Sequence, residues 1–227
     1  NYKMMLFCLV LLISSNILAQ SEKCATMQVL EKRIQNDPST QSRMQQSEIQ
    51  AQKWISENKT LLKKKQDVKS QALVTIPVVV HVLYNNQTEN VSDAQVQSQI
   101  DGLNEDFRLL NGDSLDDTHP FWIYTADTQI EFCLASIDPN GNATSGITRT
   151  FTNTTAFDGN GNEKFTSLGG KDNWDPTKYL NIWVCDLSAS GGILGYAAFP
   201  SDLTLYPDED GVVIHYQAFG YIGTAGT

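Results

Sequence analysis

The chain has 227 residues, an apolar fraction of 41%, and 26 Asp and Glu against 16 Lys and Arg, for a formal net charge of −10. An acidic balance of this size excludes a general nucleic-acid binder, which needs clustered positive charge. No interior run of about 20 apolar residues is present to cross a membrane.

In chain order, Lys3 is followed by an apolar run from Met4 to Ile13, polar Ser14 to Asn16, and Leu18-Ala19-Gln20. This is the layout of a secretory signal peptide over residues 1–19, cut after Ala19. The expectation is therefore a secreted, extracellular protein with no membrane attachment once the signal is gone. Export also sets how the cysteines are read. Cys8 leaves with the signal, so Cys24, Cys133 and Cys185 remain as an odd set in an oxidising compartment. Cys133 and Cys185 both fall in predicted strands and are candidates for a disulfide. Cys24 stays open between a chance thiol, an intermolecular bridge and a metal ligand.

Residues 20–70 hold ten Lys and Arg against six Asp and Glu, whereas residues 71–227 hold five against twenty. Opposite signs on one chain favour docking of the first part on the second. Met27, Leu30 and Ile34 predict one short helix. Asp37-Pro38 starts a second, with Asp37 as N-cap, whose stripe is Met44, Ala51, Trp54 and Ile55. Two such helices cannot form a core alone and need a surface to lie on. Lys63, Lys64 and Lys65 then sit in a polar stretch that reads as an exposed, protease-accessible linker.

From Val74 the pattern changes. TIPVVVHVLY is a β-branched run typical of a strand buried on both faces. Val96, Ile100, Leu103, Phe107 and Leu110 define an amphipathic helix, with Ser92 and Gln95 as a capping box and Asn111-Gly112 as its close. Strands are predicted at TQIEFCLAS, GITRTF, YLNIWVCDL, ILGYAAF and GVVIHYQAF. The fold class is α/β (α+β): a mixed twisted sheet with a backing helix, preceded by a small helical segment. The final Gly220, Gly223 and Gly226 read as a flexible lead.

The three histidines, His81, His119 and His215, show no metal-ligand spacing. Asp158-Gly-Asn-Gly-Asn-Glu163 resembles the start of a calcium loop, except that Glu163 stands where that loop needs Gly, so calcium is one cofactor to test. No nucleophile elbow or phosphate-cradling loop is present.

The succession IPVVVHVLY, the helix containing LNEDFR, IEFCLASIDPNG with GITR, YLNIWVCDLSASGGILGYAAFP and DGVVIHYQAFG resembles the pappalysin family of metzincin zinc metalloproteases, over about residues 73–227. That resemblance implies a secreted zinc endopeptidase precursor acting on protein or peptide substrates. It divides into a signal peptide (1–19), a helical propeptide and linker (20–70), and the upper part of a catalytic domain (71–227). The propeptide is expected to dock on its own catalytic domain. The zinc-binding HExxHxxGxxH helix of the clan would follow the last strand, beyond Thr227, leaving no catalytic residue within these 227. The resemblance also implies that Gly192, Ile193, Leu194, Gly195, Tyr196 and Ala197 form a substrate-binding edge strand, with Gly192 and Gly195 keeping backbone approach open. Cys24 would be a latency ligand of zinc, with Ala25 where the family has Gly. The alternative is a non-catalytic secreted binding module built on the same sheet.

Overall fold

The computed structural model describes residues 23–59 and 73–225. The signal-peptide stretch and the Lys63–Lys65 linker lie outside the described residues. The elements are α1 (Thr26–Asn36), α2 (Ser39–Glu57), β1 (Val74–Tyr84), α3 (Asp93–Phe107), β2 (Ile130–Leu134), β3 (Ile147–Phe151), β4 (Leu180–Cys185), β5 (Gly195–Ala197) and β6 (Val212–His215). One sheet has six strands: five run in the order β2-β1-β4-β6-β5, and β3 pairs with β1 off that path. All its pairs are parallel except β5 on β6.

The β-branched run of β1 forms the centre because it suits a position buried on both faces. Val78, Val79, Val80 and Val82 are each at 0% exposure. Val78, Val80 and Val82 point to one side, where they pack with Val96 and Ile100 of α3, with Phe132, Ile182 and Val184, and with Phe219. On the other side Leu83, Trp183, Cys185, Leu187, Tyr196 and Val213 form a second core, and Ala25 of the N-terminal segment is built into it. The period of two along a strand separates the two sets.

β1 is long enough to take two partners end to end along one margin. Val74 to Val78 pair with β2, and Val80 to Tyr84 with β3. At the handover Ala135 N–H donates to the Val78 carbonyl (2.8 Å) and Val80 N–H to the Gly146 carbonyl (2.8 Å). Gly146 sits there with φ +71, and a Cβ would fall 2.6 Å from the Ala135 nitrogen, so the crossing tolerates no side chain.

Several expectations change. Cys133 and Cys185 are both free, one exposed and one buried. They lie on strands flanking β1 on opposite sides, Cys133 level with Pro77 and Cys185 one residue beyond the Val82 to Val184 pair. That offset is about 20 Å along the strands, far outside disulfide reach. The capping box is half made. Ser92 Oγ accepts from Gln95 N–H (3.1 Å), but the Gln95 side chain turns to the Phe219 carbonyl (2.8 Å) and to Thr224 Oγ1 (3.0 Å). α3 closes earlier than expected, with Arg108 as cap, and Leu109 takes a left-handed φ of 55.

The glycine-spaced tail is pinned to α3. Gly220 N–H donates to Gln99 Oε1 (2.8 Å), Tyr221 N–H to Ser98 Oγ (3.0 Å) and Thr224 N–H to Gln95 Oε1 (3.0 Å). Its glycines serve close approach: a Cβ on Gly223 would meet Gln95 Oε1 at 2.3 Å. In α2 only Thr40 is buried. The predicted stripe of that helix lies on the surface, with Trp54 at 56% and Ile55 at 40% exposure.

Candidate functional site at the sheet edge

β5 is the antiparallel margin of the sheet, paired on its inner side to β6 through Gly195 to Ile214, Tyr196 to Val213 and Ala197 to Val212. Its outer side is taken by the N-terminal segment. Leu194 N–H donates to the Lys23 carbonyl (2.7 Å), and Ala25 N–H donates to the Gly195 carbonyl (3.1 Å). Ala197 N–H is capped by Thr26 Oγ1 (3.2 Å). Cys24 thus stands beside Gly195 in a parallel bridge, so a short piece of the segment acts as an added strand before α1 begins.

Of the predicted edge residues, Gly195, Tyr196 and Ala197 form the strand, while Gly192, Ile193 and Leu194 lead into it. The two glycines have other reasons than outward access. Gly192 holds φ +99, and Gly195 lies so near β6 that a Cβ would meet the Val213 carbonyl oxygen at 2.6 Å. Next to the lead-in is a cavity of about 640 Å³ lined by Lys23, Leu194, His215 and Gln217. His215 Nδ1 accepts from Leu187 N–H (3.0 Å), with Asp186 Oδ1 at 3.8 Å. Cys24 Sγ is exposed and lies 3.3 Å from Thr26 Oγ1.

Beneath β5 is a polar pair that charge patterning did not single out. Tyr196 O–H donates to Glu163 Oε1 in a very short bond, and Glu163 Oε2 has no hydrogen-bond partner although the residue is at 0% exposure. Burial pushes the Glu163 carboxyl above the ordinary carboxylate range and, with the carboxylate beside it, pushes the Tyr196 phenol far above its own. Lys164 is buried as well. Its ammonium donates to the Glu209 carbonyl (2.5 Å) and lies 5.1 Å from the Tyr196 ring centroid, and burial lowers its pKa. The calcium-loop reading therefore fails. Asp158 accepts from Asn160 in its own turn (3.1 and 2.5 Å), while Glu163 faces inward to Tyr196.

Beyond the end of β5 the segment is held by charge. Arg33 pairs with Asp202 Oδ2 (3.5 Å) and with Glu209 in a shorter contact, and its guanidinium lies 4.3 Å over the Tyr206 ring. Arg43 bridges Asp37 (3.0 Å) and Asp202 (3.8 Å). Tyr206 O–H donates to Asp37 Oδ2 (3.0 Å). Asp37 also accepts from Ser39, which first among its contacts keeps its carboxyl well below the usual range. The sign reversal along the chain announced this interface, but nothing in the sequence marked Asp202, Tyr206 and Glu209 as its receiving side.

His81 is tied into the sheet interior. His81 is at 0% exposure, and its ring nitrogens are tied to Thr148 Oγ1 (2.8 Å) and Asn181 Oδ1 (3.1 Å). Burial lowers its pKa to about 4, so it is neutral at pH 7. Among the described residues no group of three or more His, Cys, Asp or Glu could hold a metal ion. The described donor set thus does not make a zinc site. No described helix is long and apolar enough to cross a membrane.

A mixed α/β sheet with an antiparallel margin, a backing helix and an N-terminal helical segment laid along that margin defines the class: the scaffold of a pappalysin-type metzincin. In sequence and in fold the chain matches mirolysin, a pappalysin-family metzincin. Promirolysin of Tannerella forsythia aligns at 41% identity and TM-score 0.75, over 91% of this chain and 63% of that one. Mature mirolysin of the same organism, in complex with a cleaved peptide, aligns at 50% identity and TM-score 0.66, over 70% of this chain and 58% of that one. Mirolysin in complex with a small compound gives 51% identity and TM-score 0.64 with the same coverages, 70% and 58%. The chain spans about six tenths of the length of these structures. No protein-family profile and no curated protein matches it.

Proposed function

We propose that this chain carries the latency segment and the substrate-aligning edge of a secreted zinc endopeptidase made as a precursor. In this reading residues 1–19 are a signal peptide, 20–70 a propeptide with its linker, and 71–227 the upper part of the catalytic domain. The observation that supports it is the occupation of β5: the outer N–H and C=O groups that an extended peptide would use are already bonded to Lys23, Ala25 and Thr26. A segment in that place excludes a substrate as long as it stays. Mirolysin holds a cleaved peptide in one of the matched structures, and a peptide substrate is proposed here by that likeness. Zinc-dependent hydrolysis is proposed for the whole protein on the same ground, and no step of it is assigned to the described residues. Cys24, the residue of the segment that stands against Gly195, is the proposed ligand that keeps zinc from activating water before processing.

The test is the full-length secreted product, assayed on a fluorogenic peptide mixture before and after limited proteolysis within residues 60–72. Activity should rise by orders of magnitude on processing and disappear with a zinc chelator. A processed, zinc-loaded protein that cuts nothing would refute the reading and leave a binding module. Cys24→Ala should show measurable activity before processing; a variant as latent as its parent removes Cys24 from the scheme.

A further inference from the structure

The loop that joins α3 to β2 presents Phe121, Trp122, Ile123 and Tyr124 to solvent, consecutive large apolar residues at 63%, 45%, 71% and 77% exposure. We propose that it is a docking surface for a cationic amphipathic segment of another polypeptide. Single apolar side chains on a surface are ordinary, but a continuous run is costly to keep in water and marks a place of contact. The loop feeds β2, at the opposite margin of the sheet from β5 and its N-terminal segment, so docking of that segment does not account for it. A partner on this face suits a protease and a binding module alike.

The display is held by the backbone. His119 N–H donates to the Asp116 carbonyl (3.0 Å), Trp122 N–H to the His119 carbonyl (2.9 Å) and Tyr124 N–H to the Phe121 carbonyl (3.0 Å), so one turn leads into the next and ends in the 3-10 turn Trp122–Tyr124. The Thr125 amide and hydroxyl close it on the Trp122 carbonyl (2.9 and 2.7 Å). Residues three apart in such a turn lie on one side, and the Phe121 and Tyr124 ring centroids are 6.5 Å apart. Thr128 roots the loop on α3, its N–H and hydroxyl donating to the Phe107 carbonyl (3.0 and 2.8 Å). Rings fixed in this way meet a partner at little entropic cost. Charge selects the partner. Asp113, Asp116, Asp117 and Asp127 are exposed, and residues 109–128 contain no Lys or Arg. Arg108, at the base, is engaged by Asp127 (2.9 Å) and Glu131. Carboxylates beside an aromatic face repel anionic polypeptides and anionic membranes, and they attract a segment with Lys or Arg on one face and apolar side chains on the other.

The experiment uses the full-length precursor and a fluorescent amphipathic helix of about 18 residues, leucine on one face and lysine on the other, with binding read by anisotropy. The same peptide with glutamate for lysine should bind at least about tenfold more weakly. The double variant Ile123→Ser with Tyr124→Ser should also lose about tenfold or more in affinity for the lysine peptide. Asp116→Asn with Asp117→Asn should lose about threefold at low salt and nothing at about 0.5 M salt, where exposed charges are screened. Trp54→Ser, at another exposed ring, should leave the affinity unchanged. If the first double variant melts below its parent, Tyr124→Ser alone, at the most exposed of the run, decides with the same expected direction. A loop variant that binds as tightly as the parent overturns the docking surface, and so does a parent that binds neither peptide. Binding of phosphatidylcholine vesicles through these residues, with no binding of the lysine peptide, overturns it in favour of a membrane contact.

Discussion

The central strand and the N-terminal segment are held by different forces. Around β1 the stabilisation is dry burial: valines at 0% exposure between two apolar cores. The segment contributes little apolar surface, with Ala25 and Leu30 its buried hydrophobic residues. It is kept instead by three backbone or hydroxyl bonds to the edge strand and by an arginine–carboxylate cluster around Tyr206. Apolar contacts cannot be exchanged for water without loss, whereas bonds and ion pairs at an edge can be. The segment thus rests on the sheet mainly through polar contacts, with Ala25 its main apolar tie to the second core.

The largest effect should come from the core. Ile100→Ala, at a buried position packed on β1, should cost the whole domain about 2–5 kcal/mol, read as a drop in denaturant midpoint with unchanged slope. A loss confined to the N-terminal segment would break the comparison.

Next comes acid. The folded-state pKa of His81 is depressed from 6.5 to about 4 by burial, so its contribution is present above pH 6.5 and is lost as pH falls through about 4. The full loss is about 3 kcal/mol, at about 1.4 kcal/mol per unit. His81→Gln should flatten that limb of the stability–pH curve; an unchanged limb assigns it to other groups.

Arg33→Ala should act on the segment alone. Removing one partner of a part-buried pair, with Arg33 at 15% and Asp202 at 5% side-chain exposure, should weaken docking by roughly 1–2 kcal/mol once screening at the exposed Glu209 side is allowed for. Hydrogen exchange should quicken at the Ala25 amide and stay slow at Val80. Equal acceleration at both would show that the two regions are one cooperative unit.

The smallest effect is expected on α2. Trp54→Ala and Ile55→Ala, on an exposed face, should each change the unfolding free energy from denaturant titration by no more than about 0.5 kcal/mol. A loss above 2 kcal/mol would mean that this stripe is packed after all.

Much of the fold was legible because its signals are local. The valine run of β1, the periodicity of α3 and the strands from Ile130 to His215 follow from side-chain spacing, and the structure places them where that spacing does. The candidate site was legible in part. The edge strand is legible in its residues, but Gly192 answers to a left-handed backbone and Gly195 to close approach to β6, the latter a property of pairing across the sheet. Gln95 matched a capping box by position and was drawn instead to the tail beyond Phe219, a competition that spacing cannot reveal.

By itself, the sequence determined the alternation that buries β1 on both faces, the helix that backs it, and a basic segment ahead of an acidic body, since hydrophobic period and charge are written in consecutive residues. Only the tertiary structure decided which carboxylates receive Arg33, that Glu163 and Lys164 are buried beneath Tyr196, and that Cys133 and Cys185 stand far apart. Each of these depends on which strands become neighbours and which loops close over them, and those distances exist only once the chain has folded.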